Sequence, residues 1–257
     1  MNTEAFETER AHLRDLINEY GGVDSYTTVQ AVAIFEQICK IEAALKLDFA
    51  SREDVFKGLS SIFNIELIGM EDYSERKVIL VPNHVSEFDG LIFGTILANM
   101  LVVAKSEWIS NPKLNAFLEN LFSIVGLVRK DSASGMDVMR KCIDHLSEDG
   151  GRAVNIFVQQ TIADIDNTIP ADVAAGACLI AKKSGADIIP VYCEQASVDH
   201  PTRIVFGKAL AIADKKTFGA EWLKCEKELR SLISDPSDRP PILCEKHRKP
   251  ISERKFN

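Results

Sequence analysis

Between residues 64 and 206 short apolar runs alternate with helix-period segments, and this alternation constrains the chain more than any other feature. The apolar runs cover 65–68 (closed by Gly69), 78–81, 101–104, 124–128, 153–158, 188–193 and 204–206. Each has strand length and lies beside turn residues. Helical spacing fills the intervals: 91–100, 114–122 after the start signal Asn111-Pro112, 136–146 with Ser134 as N-cap, and 171–184. The last of these has a small-residue side of Ala174, Ala175, Ala177 and Ala181 that suits close packing on a sheet. Strands that alternate with helices predict an α/β fold with a mostly parallel central sheet flanked by helices. In such sheets ligands bind beyond the carboxyl ends of the strands.

The flanks differ. Residues 1–62 carry three helical segments, over 3–20, 27–47 and 53–62. The second is apolar on more than one side, through Val29, Val32, Ile34, Phe35, Ile38, Ile41 and Leu45, and so should pack between partners. The third follows an N-cap at Ser51, with Asp54 at the capping-box position. This N-terminal helical segment either packs as an appendage or covers an acyl chain or a partner. An amphipathic helix over 217–234 ends the α/β domain, residues 63–235. Residues 236–257 contain Pro236, Pro240, Pro241 and Pro250 and no helical period, and read as an extended basic tail. That tail is either solvated or contacts anionic lipid or an acidic carrier protein.

Composition removes several function classes. The 257 residues are 46% hydrophobic, enough for one large domain, and the formal net charge of −8 disfavours nucleic acid as a partner. The six cysteines form no C-x-x-C, and Cys244 with His247 lacks a second ligand pair, so buried free thiols in a reducing compartment are expected and a metal site is not. The first residues, MNTEAFETER, are acidic and polar, unlike a secretory signal. The longest apolar stretch, 91–104, is broken by Gly94, Thr95 and Asn99 and is too short to span a bilayer. The expectation is a cytoplasmic protein.

Chemistry enters at residues 77–90, KVILVPNHVSEFDG. A buried strand stops at Pro82-Asn83 and presents His84, and Asp89 follows at the opening of the next apolar segment. An imidazole with one nitrogen bonded to a carboxylate has its tautomer fixed and its other nitrogen free to take a proton. That suits deprotonation of a hydroxyl or amine attacking an acyl group. The same pair is also what a loop-capping histidine and an N-capping aspartate would look like.

Residues 64–210 resemble the glycerolipid acyltransferases, the glycerol-3-phosphate and lysophosphatidate acyltransferase superfamily. Asn83 to Asp89 looks like its first block, a His-x4-Asp preceded by Asn; Val103 to Trp108 is similar to the stretch that follows; Arg129 stands where the second block ends in arginine, with Ser123 in place of the usual glycine. Gly176 to Ala181, then Ile189-Pro190-Val191 and Phe206-Gly207-Lys208, continue the likeness in order. The resemblance implies that His84 is the general base and Asp89 orients it. It implies an acyl thioester of coenzyme A or acyl carrier protein as donor, no metal or redox cofactor, and acceptor binding by Arg129 and the third block. Asn83 and Lys105 join the candidate substrate-binding residues.

The third block departs from the family pattern. Where that pattern reads Phe-Pro-Glu-Gly-Thr-Arg, this chain has Phe157-Val158-Gln159-Gln160-Thr161-Ile162. The glycine that admits close backbone approach and the arginine that grips phosphate are both gone. A charge-assisted hydrogen bond contributes about 1.5–3 kcal/mol, so a glycerol phosphate would bind about tenfold or more weakly unless Arg129, Lys130 or Lys105 compensates. Gln159, Gln160 and Thr161 offer neutral groups, which points to an acceptor hydroxyl or amine on a specialised metabolite. A glycerol-3-phosphate or lysophosphatidate O-acyltransferase, and a catalytically silent acyl- or carrier-protein-binding module, are the alternatives.

Overall fold

The computed structural model describes residues 3–20, 27–48, 50–128, 131–159, 162, 171–211 and 216–233. Three helices come first: α1 (Thr3–Glu19), α2 (Thr28–Leu45) and α3 (Arg52–Phe63). Thr27 caps α2 in a full capping box with Gln30, and Lys46 closes it in the left-handed region. Ser51 caps α3 as expected, accepting from Asp54 N–H. The reciprocal arm differs, because the Asp54 carboxylate accepts from Asp48 N–H at 2.8 Å rather than from the cap residue.

The remaining elements are β1 (Ile65–Ile68), β2 (Lys77–Pro82), α4 (Asp89–Ile96), β3 (Met100–Lys105), α5 (Ser106–Ser110), α6 (Pro112–Leu121), β4 (Ser123–Leu127), α7 (Ser132–Ser147), β5 (Arg152–Asn155), α8 (Ala171–Ser184), β6 (Asp187–Cys193), β7 (Thr202–Phe206) and α9 (Phe218–Ser231). The strands form a seven-stranded sheet in the order β1-β7-β6-β2-β5-β3-β4. Every pairing is parallel except β6 with β7. The fold class expected from the alternation is therefore the one observed.

Successive strand residues face opposite sides, and each side has its own core. Val78, Leu80, Val102 and Phe157 join a cluster with α1 to α4 and α6, including Leu13, Ile38 and Phe63, so the first three helices share a core with one sheet face. Ile79, Val81, Leu101 and Val154 join Val138, Ala177 and Trp222 beneath α7, α8 and α9. Arg10 of α1 donates to the carbonyls of Ile62 and Val198, fastening that helix to the loop after β6. The Trp222 indole N–H donates to the Val81 carbonyl at 2.7 Å and braces the end of β2 from the other face.

Several boundaries differ from expectation. Helix α4 runs from Asp89 to Ile96, not over 91–100, because Leu97 is already extended and Asn99 turns at φ 51°. Helix α7 is capped by Asp131, whose Oδ1 accepts from Ala133 and Ser134 N–H. Ser134, the expected cap, instead accepts from Val128 N–H. Strand β5 stops at Asn155, ahead of the expected 158, and the short helix α5 was not anticipated. The expected basic tail, 236–257, lies outside the described residues. The cysteines among the described residues are free, and Cys142, Cys178 and Cys193 are buried. No helix among the described residues is long and apolar enough to cross a membrane.

Candidate active site

Strand β2 is central, paired with β5 and β6, and every residue from Val78 to Pro82 is buried. Proline has no N–H, so the ladder cannot continue past Pro82 in the ordinary way. Asn83 takes over with its side chain. Its Nδ2 donates to the Cys193 carbonyl at 2.8 Å, and its Oδ1 accepts from Cys193 N–H at 2.6 Å. Both ends of the amide are engaged, and Asn83 is buried behind the site, so the structure makes it a strut between β2 and β6 and not a lining residue.

His84 follows, held at three points. Its backbone N–H donates to Gln159 Oε1 at 3.0 Å. Its ring stacks on Phe157, centroids 4.3 Å apart and planes 23° apart, and Phe93 meets Phe157 edge-on at 5.9 Å. Its Nδ1 lies 2.9 Å from Asp89 Oδ2. A carboxylate oxygen accepts, so in the neutral ring this contact selects the tautomer that carries its proton on Nδ1.

Asp89 is the first residue of α4 and is wholly buried. Its Oδ2 also accepts from Val85 N–H at 2.7 Å and Ser86 N–H at 2.9 Å. The loop from 84 to 89 is thus folded around one carboxylate oxygen, while Oδ1 is buried with no partner among the described residues. The aspartate does not cap the helix, since the cap position is Phe88 and makes no side-chain bond. Ser86 is buried, and its Oγ accepts from Phe88 N–H at 2.9 Å. The Cys193 thiol is pushed well above its ordinary range by burial, with the charge of Asp89 adding, so it stays a protonated, unreactive neighbour.

His84 lines a cavity of about 630 Å³ at the carboxyl ends of β2, β3, β4 and β5. Its wall draws on both cores: Leu91, Phe122 and Ile124 from one face, and Val138, Met139 and Ile180 from the other. Phe35 of α2 closes part of it and packs on Phe117, ring centroids 5.1 Å apart. Trp108 of α5 and the exposed side chains Val128, Met136 and Leu179 also lie on the wall. The polar groups on it are few, chiefly His84, Glu87, Lys105, Asp131 and Ser132. An apolar hollow with a small set of convergent polar groups is the form a ligand site takes.

Of the residues singled out from sequence, the structure brings His84 and Asp89 together and sets Lys105 on the wall near them. Gln159 is fully buried and does not line the cavity; it positions the His84 backbone. Arg129, Gln160 and Thr161 lie outside the described residues. Two features had no sequence signal: the stacking of Phe157 on His84, and the place of Glu87 on the cavity wall. Among the described residues no cluster of three or more His, Cys, Asp or Glu side chains is placed to hold a metal ion.

A mostly parallel sheet presents a histidine–carboxylate pair at the end of its central strand, beside an apolar cavity, which is where α/β enzymes place their ligands. The chain belongs to the Acyltransferase family, which residues 64–194 match. It is similar in fold to the crystal structure of the 1-acyl-sn-glycerophosphate (LPA) acyltransferase PlsC from Thermotoga maritima, at a TM-score of 0.53 and 15% sequence identity, over 90% of this chain and 98% of that one. The protein is an acyltransferase, and the superfamily resemblance read from the ordered blocks holds.

Proposed function

We propose that the enzyme moves a fatty acyl group from a thioester of coenzyme A or acyl carrier protein to an acceptor hydroxyl or amine, with His84 as general base. The observation that carries this reading is the 2.9 Å contact from His84 Nδ1 to a buried carboxylate on the wall of an apolar cavity of about 630 Å³. As the acceptor oxygen or nitrogen attacks the thioester carbonyl, its proton passes to Nε2. Asp89 stabilises the imidazolium that forms. Collapse of the tetrahedral intermediate expels the thiolate, which leaves with the proton that the imidazolium returns. No further cofactor is invoked. The exposed Val128, Met136 and Leu179 at the cavity support an enzyme working at the periphery of a membrane, where acyl chains are found.

His84→Ala should lower turnover by about 10²–10⁴-fold, read as thioester consumption, with an unfolding midpoint near that of the wild type. Turnover at the wild-type level in a folded variant would sink the assignment. The altered third block favours an acceptor other than a glycerol phosphate. The likeness in fold to a lysophosphatidate acyltransferase supports a second reading, phospholipid-type acyl transfer. Mass spectrometry of the products from an acceptor panel with one labelled acyl thioester decides between them.

A further inference from the structure

Glu87 lies three residues beyond the base and lines the same cavity. Its side chain is only 10% exposed, yet its ion-pair contact among the described residues is a loose one, to Lys105 Nζ at 3.9 Å. A hydrogen-bonded ion pair closes to about 2.7–2.9 Å, so this lysine does not satisfy the carboxylate. Lys105 is also the more open of the two, at 29% exposure. A carboxylate can accept from about four donors, and this one, on the cavity wall, has a single ion-pair contact that is longer than a hydrogen bond. The other charges on the described wall do not offset it. Asp131 is a second anion, and Asp89 stands behind His84. Lys105 and the base itself are the cationic or protonatable groups facing them.

A group entering beside Glu87 meets negative charge and unused acceptor capacity. A phosphate there is repelled, a hydroxyl supplies one neutral donor, and a protonated amine supplies three donors and the opposite charge. Building on the acyl-transfer reading above, we propose that Glu87 is a specificity-determining residue that holds a cationic amine of the acceptor, so that the acceptor class is an amine-bearing amphiphile. The ammonium is the anchor and not the nucleophile, because it stays protonated at the carboxylate. A hydroxyl on a neighbouring carbon attacks the thioester, gives its proton to His84, and becomes the ester oxygen as the thiolate leaves. The apolar remainder of the acceptor lies along the cavity wall.

The test uses a long-chain vicinal amino alcohol, the diol matched to it in length, and lysophosphatidate as an anionic third probe. Binding of each to the full chain is measured by calorimetry, and kcat/KM by thioester consumption. The amino alcohol should lead the diol by about 10- to 100-fold in both measurements, with lysophosphatidate last. In Glu87→Gln the lead should fall to near unity. In Glu87→Asp, which keeps the charge on a shorter stem, part of it should return. A diol bound as well as the amino alcohol by the wild type, lysophosphatidate bound best, or a lead kept in a folded Glu87→Gln would each overturn the inference. Selective binding without ester formation would leave Glu87 its role and remove the acyl-transfer reading. Ester formation without the preference would do the reverse.

Discussion

Replacing Asp89 by asparagine separates the two jobs this aspartate combines. Its Oδ2 accepts from His84 Nδ1, Val85 N–H and Ser86 N–H at 2.9, 2.7 and 2.9 Å. An asparagine oxygen at the same point can accept all three, so the loop and the ring keep their places. What disappears is the negative charge. The loss matters little while the imidazole is neutral and a great deal once the proton has arrived. Unit charges about 4 Å apart attract by about 4 kcal/mol at an effective dielectric constant of about 20. Asp89→Asn should therefore lower kcat by about 10³-fold. Its cost to folding should stay within about 2 kcal/mol, because the amide nitrogen replaces an Oδ1 that already lacks a partner among the described residues. Asp89→Ala should differ in kind: it strips the acceptor from two backbone N–H groups, at about 1–3 kcal/mol each. Thioester consumption under saturating substrate gives kcat, and urea unfolding followed by circular dichroism gives stability. If Asp89→Asn turns over like the wild type, or if the two variants lose activity and stability in parallel, the charge argument is wrong.

The helices that precede the sheet carry a pH dependence of their own. Glu42 of α2 is fully buried with both oxygens unpartnered among the described residues, and burial, with the charge of Asp54 adding, pushes it up to about 7 from an ordinary 4.5. The folded state holds this proton more tightly than the unfolded chain, so its stabilisation is complete below pH 4.5 and declines as pH rises through about 7. The difference corresponds to about 3 kcal/mol, and Glu42→Gln should flatten that slope and exceed the wild type in stability at pH 8; parallel urea midpoints from pH 5 to 8 would refute this. A different perturbation acts at Gly94 of α4, where an added Cβ would come within 2.3–2.6 Å of three atoms of the Phe122 ring. Gly94→Ala should cost about 1–3 kcal/mol by overpacking and push Phe122, a cavity residue, into the hollow, so an unchanged melting temperature together with unchanged affinity for a long acyl thioester would count against the packing described.

The order of strands and helices was legible because each strand is short, apolar and bounded by turn residues, and because the small-residue helix and the Pro-bearing β6 have few other places to go. Boundaries were less so. The stretch from α4 into β3 is apolar on both sides of the boundary, so the helix end is marked only by the extended backbone at Leu97 and the turn at Asn99. Asp131 and Ser134 are both good caps, and the choice depends on Val128 N–H needing the serine hydroxyl. Helix α5 is too short to show a period. His84 and Asp89 were readable because sequence-local residues make the dyad. The supports were not: Asn83 finds Cys193, and His84 finds Gln159 and Phe157, across more than seventy residues, through strand order that spacing alone does not encode.

Those supports show how the third block can change without dismantling the setting of His84. Gln159 stands where the family pattern has glutamate, and what the structure asks of it is an oxygen that accepts His84 N–H. An amide supplies that oxygen as well as a carboxylate does, while taking a negative charge out of the site's interior. Phe157, kept from the pattern, supplies the slab under the imidazole. Ile162, in place of the arginine, is buried and has no charge to offer an acceptor. Phe157 and Gln159 therefore hold His84, while the sequence of this block lacks the arginine of the family pattern. With Asp89 bound to the ring, Glu87 is the first-block carboxylate left on the cavity wall, where the proposal above sets it against the acceptor. On the proposed reading, reaction type and acceptor choice rest on different side chains of the same short loop. Substitutions at Glu87 should shift the acceptor preference, whereas substitutions at Gln159 that remove its oxygen should lower turnover for every acceptor alike.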